Sequence, residues 1–315
     1  MILAFDTSCY TSSVALMAKD GQLLSDQRRV LAVPAKKRGL LQSEALFQHI
    51  NNIPVLLETL AETIDFSEIK AIGCSVKPRP VEKSYMPVFL GGETIGRSIA
   101  AAINCPFIPA THQEGHMMAG WYSLQMMNAV PNRFLLCHFS GGTSEILLAE
   151  KQGHGDFSLA LKAFGNDLHA GQFVDRIGVL LGLQFPCGME LEKLALGHKG
   201  DIPDVKIWVK DGEFSFSGQE TAIRRMVENG VSRETVARTV EHTIAKTMVK
   251  VFRQLFTVTG ITKVLFVGGV MCNGYIKQYL QENLKEGTLY FADSRYASDN
   301  AVGVAALTLK RLGGN

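Results

Sequence analysis

The sequence has few of the features that staple small proteins together. Its six cysteines, Cys9, Cys74, Cys105, Cys137, Cys187 and Cys272, are scattered and form no C-x-x-C pair. That excludes a zinc ribbon and a disulfide framework, and it makes a reducing, cytoplasmic setting the expected one. The formal net charge is only +2, so no global field draws the chain to polyanions, although local basic clusters can still act. No apolar run reaches the roughly 20 residues needed to cross a bilayer. The first residues enter an apolar strand at once, without a signal-peptide pattern. What the chain does have is 315 residues at 46% hydrophobic content and 30 glycines, several of them clustered. That suits two domains, each with its own core, and loops built from backbone.

The apolar pattern predicts strands at 2–5, 14–17 and 23–30, with the polar turn Asp6-Thr7-Ser8 between the first two. Lys36-Lys37-Arg38-Gly39 breaks the pattern, and a long helix is expected over 43–62. A strand at 69–76 and a helix at 92–103 follow. Residues 134–139 and 145–149 then repeat the opening, strand, small polar turn, strand, roughly 130 residues later, a spacing too long for a solenoid repeat and better explained by duplicated domains. The second half is expected to be mainly helical, with helices at 167–183, 221–229, 232–259 and 271–286, a buried strand at 263–267, and a last helix over 301–312 capped by Ser298. Alternating strands and helices define an α/β architecture.

Thr111-His112-Gln113-Glu114-Gly115-His116 is the sharpest local motif. Histidines at i and i+4 share one helical face and can converge on one cation. The glutamate sits one place later than in H-E-x-x-H, so the zincin mechanism does not transfer. Asp299, in Ser298-Asp299-Asn300-Ala301, is the candidate third ligand. Two histidines and a carboxylate suit iron or zinc and leave positions open for ligand oxygens. Spacing alone leaves two unrelated surface histidines as the commoner outcome.

Ser140-Gly141-Gly142-Thr143 joins two predicted strands, and Gly268-Gly269-Val270-Met271-Cys272-Asn273 links a strand to a helix. Glycines there let backbone N–H groups approach phosphate. Each taken singly reads equally well as a tight turn. Asp167, Gly171 and Asp175 are spaced by four along a predicted helix, and Asp175 suits a ribose. Pro186-Cys187-Gly188 follows, with Glu190 and Glu192. These carboxylates also suit plain helix stabilisation. Two strand–turn–strand hairpins and a late glycine pair together resemble the actin and sugar-kinase ATPase (ASKHA) fold, two-lobed with duplicated lobes. By that analogy nucleotide and metal are expected in the interlobe cleft. The lobes are expected at 1–130, with the C-terminal helix 299–315 packing back on it, and at 131–298.

The stretches ILAFDTSC, HQEGH, FSGGTSEI, LGLQFPCG, FSFSGQETAI, VGGVMCNGYI and SDNAVGVAAL, in that order, resemble the TsaD/Gcp family, catalytic subunits of tRNA N6-threonylcarbamoyladenosine synthase. Older names for the family are glycoprotease and peptidase M22. The resemblance implies a divalent metal, Fe or Zn, on His112, His116 and Asp299. It implies an adenylate, ATP or threonylcarbamoyl-adenylate, at His138, Phe139, Ser140, Gly141 and Gly142, with Asp175, Gly188, Glu192 and Asn273 at ribose and base. The implied reaction is acyl transfer to adenosine N6 beside the tRNA anticodon. The implied partners are tRNA, a small paralogous subunit and a small ATPase, with no membrane. Three stretches depart from the family: Tyr10-Thr11 follows Cys9 where acids are usual, residues 77–85 replace a Gly-Pro-Gly loop, and the turn reads SGGTS, not SGGHT. They mark a divergent paralogue, with a carbamoyl or phosphoryl transferase acting on another acceptor, or a non-catalytic nucleotide-binding partner, as the alternatives.

Overall fold

The computed structural model describes residues 1–8, 10–33, 40–62, 64–153, 155–313. Cys9 and the Lys36-Lys37-Arg38-Gly39 break lie outside the described residues. The chain divides into two compact units: unit 1 is Met1–Val130, Lys151–Ser158 and Arg295–Asn315, and unit 2 is Pro131–Glu150 and Leu159–Ser294. In chain order the elements begin with β1 (Ile2–Asp6), β2 (Thr11–Met17), β3 (Leu23–Val30), α1 (Gln42–Ala61), β4 (Ala71–Lys77), α2 (Phe89–Ala102), β5 (Phe107–Thr111) and α3 (His112–Ser123). Next come β6 (Arg133–Phe139), β7 (Ser144–Gly153), β8 (Asp156–Gly165), α4 (Ala170–Leu180), α5 (Gly188–Ala195), β9 (Trp208–Lys210), β10 (Glu213–Ser215), α6 (Ser217–Glu228) and α7 (Arg233–Thr259). The last are β11 (Lys263–Val267), α8 (Gly274–Asn283), β12 (Thr288–Phe291) and α9 (Val302–Leu312).

Unit 1 is built on a sheet of order β3-β2-β1-β4-β5. β1 and β2 form an antiparallel hairpin from Ile2↔Met17 to Asp6↔Ser13, and β1, β4 and β5 run parallel. Every residue of β1 and β2 is buried, as expected for central strands covered on both faces. Leu3, Phe5, Val14, Leu16, Ile53 and Ile72 pack together on one side. α9 covers β4 on the other, where Gly73 lies against Thr308 and Val304.

Unit 2 repeats the plan. Its sheet runs β12-β11-β6-β7-β8-β10-β9, and β6 and β7 pair antiparallel from Arg133↔Glu150 to Phe139↔Ser144, with β11 parallel to both β6 and β12. Read outward from its first strand, β8-β7-β6-β11-β12 matches β3-β2-β1-β4-β5, so the duplication seen as strand–turn–strand extends to five strands. The core centres on α7, capped at its start by Ser232, whose hydroxyl accepts from Thr235 N, and ended by Gly260 at φ 67°. Stacked Phe173–Phe216 and Phe266–Phe291 pairs fill it, at 5.4 and 4.5 Å between centroids.

Several expected boundaries move, each for a local reason. The helix expected at 167–183 starts at Ala170, because the Asp167 carboxylate accepts from Ser215 Oγ and Phe216 N. Asp167 therefore does not share a helical face with Gly171 and Asp175. The helix expected at 271–286 is a short 3-10 turn, Gly269–Cys272, followed by α8; Asn273 interrupts it with extended backbone and caps α8. Ser298 does not cap the last helix. Asn300 does, its Oδ1 accepting from Val302 N and Gly303 N. The second half also holds β8, β9, β10 and β12, which the helical expectation omits.

α9 and α3 meet almost backbone to backbone. A Cβ on Gly303 would overlap Gly115 O and come within 2.6 Å of Ala119 N, so only glycine permits this approach. Gly303→Ala is expected to cost about 1–3 kcal/mol through overpacking, read as a lower chemical-denaturation midpoint. An unchanged midpoint would show that the helices part without penalty.

Candidate functional site

The HQEGH motif opens α3. Thr111 caps the helix: its hydroxyl accepts from Glu114 N at 3.2 Å, and Glu114 Oε2 accepts from Thr111 N at 2.7 Å, a capping box. Glu114 Oε1 accepts from Arg311 Nη2 at 2.7 Å. The glutamate of the motif is thus a structural group engaged at both oxygens, and it is not placed as a water-activating base.

The helix turns His112 and His116 toward each other, with their Nε2 atoms 3.0 Å apart. Asp299 Oδ1 lies 3.5 Å from each. These three donors, with all ligand atoms within 4.8 Å of one another, form a metal-competent cluster. Asp299 is positioned by its neighbour: Asn300 Nδ2 donates to Tyr296 O and Ser298 O at 3.1 and 2.8 Å, and Ala301 N donates to Ser13 Oγ at 2.9 Å. Metal–ligand bonds of about 2.0–2.1 Å imply donor separations of roughly 3.0–3.4 Å, so the set fits a first-row divalent cation. Two imidazoles and a carboxylate are borderline donors that suit Fe or Zn.

Asp6, at the end of β1, completes the arrangement. Its Oδ2 is 3.1 Å from His112 Nδ1, and its Oδ1 accepts from Ser8 N at 2.7 Å and from Ser8 Oγ. Holding Nδ1–H in this way turns the Nε2 lone pair inward, the usual outer partner of a metal-bound histidine. The sequence pattern puts Asp6 in a polar turn and does not reveal this role; its one signal is an acid ending an otherwise apolar strand. Without metal, burial works to lower the His112 pKa, but the charge of Asp6, its hydrogen bond and Asp299 outweigh it and raise the group to about 9. Burial, with the His112 charge, lowers His116. A proton on His112 Nε2 can then be donated to neutral His116, occupying the place where a cation would bind.

In unit 2 the Ser140–Thr143 turn is closed by Ser140 N donating to Thr143 O at 2.8 Å. A Cβ on Gly141 or Gly142 would meet nothing within 4 Å, so open space lies beside this backbone. α4 starts directly against the turn: Gly171 N donates to Ser140 O at 3.2 Å, Ala170 N donates to Ser144 Oγ at 2.8 Å, and a Cβ on Gly171 would come within 2.7 Å of Gly141. His138 is buried beside Gly268, whose φ of 95° brings it against Phe139 O. The Phe139 ring is in the core, stacked on Phe214 at 5.5 Å, so only its backbone is available to a ligand.

The remaining predicted residues fall into two linked pairs. Asp175 Oδ1 accepts from Cys187 N at 2.8 Å, next to Gly188, and burial raises its carboxyl pKa despite that bond. Glu192 Oε1 accepts from Gly274 N at 2.7 Å, beside Asn273. Gly188 and Glu192 lie one turn apart on α5, which brings the four residues into one neighbourhood. Asn273 is already engaged: Oδ1 accepts from Ile276 N at 2.9 Å, and Nδ2 donates to buried Glu241 at 2.6 Å. Arg238 donates to the other Glu241 oxygen at 2.6 Å, while burial pushes the Glu241 pKa up to about 7. Nothing in the spacing of α7 flagged Glu241 or Arg238.

Two sheets that share one five-strand order give the chain the fold of the actin and sugar-kinase type. HypF from T. kodakarensis superposes with TM-score 0.62 at 14% identity, covering 99% of this chain and 48% of that one, so the chain spans about half the length of that protein. A ROK family glucokinase from Streptomyces griseus, in complex with glucose and AMPPNP, superposes with TM-score 0.53 at 13% identity, covering 97% and 98%. The profile of the TsaD family, tRNA N6-adenosine threonylcarbamoyltransferase, matches residues 24–306, and the chain belongs to that family of acyltransferases. A tRNA N6-adenosine threonylcarbamoyltransferase of Neorickettsia sennetsu is 26% identical over 99% of this chain and 94% of its own length.

Metal uptake at pH 7.5 is expected to release about one proton per ion, because Asp6 and Asp299 raise the His112 pKa to about 9. Apparent affinity should rise about tenfold per pH unit below that value and level off above it. Calorimetry in buffers of different ionisation enthalpy reads the proton directly, and His112→Ala with His116→Ala should abolish uptake. Asp6→Asn should weaken affinity about 10–100-fold. A Gly141→Val variant should fold normally, since its side chain meets open space, yet lose binding of an adenine nucleotide; equal binding by both proteins would remove the turn from the site.

Proposed function

We propose that this chain is a metal-dependent, adenylate-binding transferase that moves a threonylcarbamoyl group to adenosine N6 of tRNA. Membership of the TsaD family supports the reaction class, and the His112, His116, Asp299 cluster with Asp6 behind it is the single observation that carries the metal requirement. A cation bound there supplies Lewis-acid charge for carbonyl or phosphate oxygens. Asp6 keeps the His112 ring oriented, and Asn300 holds the turn that presents Asp299.

In unit 2 the open backbone at Gly141 and Gly142 suits the adenylate phosphate, with Asp175, Gly188, Glu192 and Asn273 assigned to ribose and base. Glu241 keeps Asn273 oriented. In the transfer, the N6 amine attacks the carbamoyl carbonyl carbon, the bond to the adenylate phosphate breaks, AMP departs, and N6 gives up one proton. The engaged Glu114 argues against the older peptidase label.

The three departures concern the acceptor. Arg79 and Lys83 are exposed on the loop after β4, and that loop is tied to α3 by Gln113 N donating to Pro78 O at 3.1 Å. A basic loop anchored one residue from His112 suits RNA phosphates. The partners we assign are tRNA, a small paralogous subunit and a small ATPase. In a strain depleted of its own enzyme, the chain expressed with companion proteins from its own source should restore threonylcarbamoyladenosine in bulk tRNA. Expressed alone it should not, and the His112→Ala, His116→Ala variant should fail in both settings. Absence of the modified base despite the companions would overturn the tRNA reading.

A further inference from the structure

Unit 1 contains a second feature that the metal centre does not use. A cavity of about 1000 Å³ opens among the β2–β3 turn, the end of α3, the end of β7 and α9. Small-ligand sites run to roughly that size. Lys19, Lys151, Arg295 and Lys310 line it, against one carboxylate, Asp20. Asp20 Oδ1 is turned back on its own hairpin, accepting from Gln22 N at 3.0 Å. Lys19, Lys151 and Lys310 make no ion pair among the described residues, whereas Arg28, Arg97 and Arg311 of the same unit all do.

We propose that this cavity is a binding site for nucleotide phosphates, with the lysines taking the phosphates and the Tyr122–Tyr296 pair taking the attached base. The rings stand perpendicular, 5.8 Å apart, and the Arg295 guanidinium lies 5.7 Å from the Tyr296 centroid. Cations beside partly exposed aromatic rings, as Tyr122 and Tyr296 are, are the pairing that single-stranded nucleic acid and free nucleotides share. A basic residue in the last turn of a helix complements its dipole, and that alone accounts for Lys310. It does not account for Lys19 and Lys151, which arrive from two other elements. Burial, and then the charge of Lys151, lower the Lys310 pKa, a penalty that a bound anion offsets.

Two sources carry this chemistry: a free nucleotide, or a single-stranded part of an RNA. The second rests on the tRNA reading above; the first does not. The experiment titrates the full chain with AMP and with a labelled single-stranded hexaribonucleotide, comparing wild type with Lys151→Gln, Lys310→Gln. If RNA is the source, the variant binds the hexanucleotide about tenfold more weakly, and the slope of log affinity against log salt falls by roughly 1.4, about 0.7 per lost contact. If free nucleotide is the source, AMP stoichiometry drops by one while hexanucleotide binding is unchanged. Unchanged binding of both probes overturns the site, whatever becomes of the transferase reading. Metal uptake at His112 and His116 reports folding in each protein. Should the first variant not fold, Lys19→Gln, Lys151→Gln alters only exposed side chains and reads the same outcomes.

Discussion

The close crossing of α3 and α9 is the contact on which unit 1 depends. It needs Gly303, where a Cβ would run into the backbone of α3 at Gly115 O and Ala119 N. The crossing sets histidines from α3 beside an aspartate that precedes α9, and it brings Arg311 to Glu114, Asp156 and Pro109 O. The candidate metal ligands are thus held by packing of the core, and the carboxylate most often read as catalytic in such a motif is spent on holding the helix in place.

Polar groups that look reactive in the sequence are repeatedly occupied in this way. Glu114 caps α3, Asp167 ties down Ser215 and the start of α6, and Asn273 both caps α8 and bonds Glu241. Asp6, by contrast, sits behind His112 of the candidate metal cluster, and only its place at the end of an apolar strand sets it apart in the sequence. A pairing between residues 6 and 112 depends on β1 and β5 lying on either side of β4, which is a property of sheet order and not of local pattern.

The legible parts of the fold were those with strong local periodicity. β11 and α7 fall at the expected residues because each couples a clear apolar pattern to a clear stop: Gly260 ends α7, and Gly268 follows β11. β9, β10 and β12 have three or four residues each, too few to establish a period of two, and they exist because neighbouring strands offer an edge. Helix starts moved where side chains compete with backbone, at Asp167 and Asn273, whereas the last helix starts within one residue of its expected position and differs only in that Asn300, not Ser298, accepts from its first N–H groups. For the site, the i, i+4 histidines and Asp299 were legible as donor types, and the glycine turn as backbone without side chains. The orienting residues Asp6 and Glu241 were not, since each works through a contact far away in the sequence, and Asn300 works through local turn bonds that no periodicity marks.

The order of synthesis gives the α3–α9 crossing a temporal meaning. His112 and His116 leave the ribosome long before Asp299, and the helix that covers β4 follows later still. Until residue 299 and α9 behind it have emerged, the histidines have Asp6 but not Asp299 beside them, and the sheet of unit 1 lacks the helix that covers β4. Unit 2, whose residues are made in between, can condense around α7 while unit 1 waits. Assembly of the candidate metal cluster is therefore tied to the synthesis of Asp299, and a ribosome-bound fragment that ends before residue 299 would carry the whole HQEGH motif without its carboxylate.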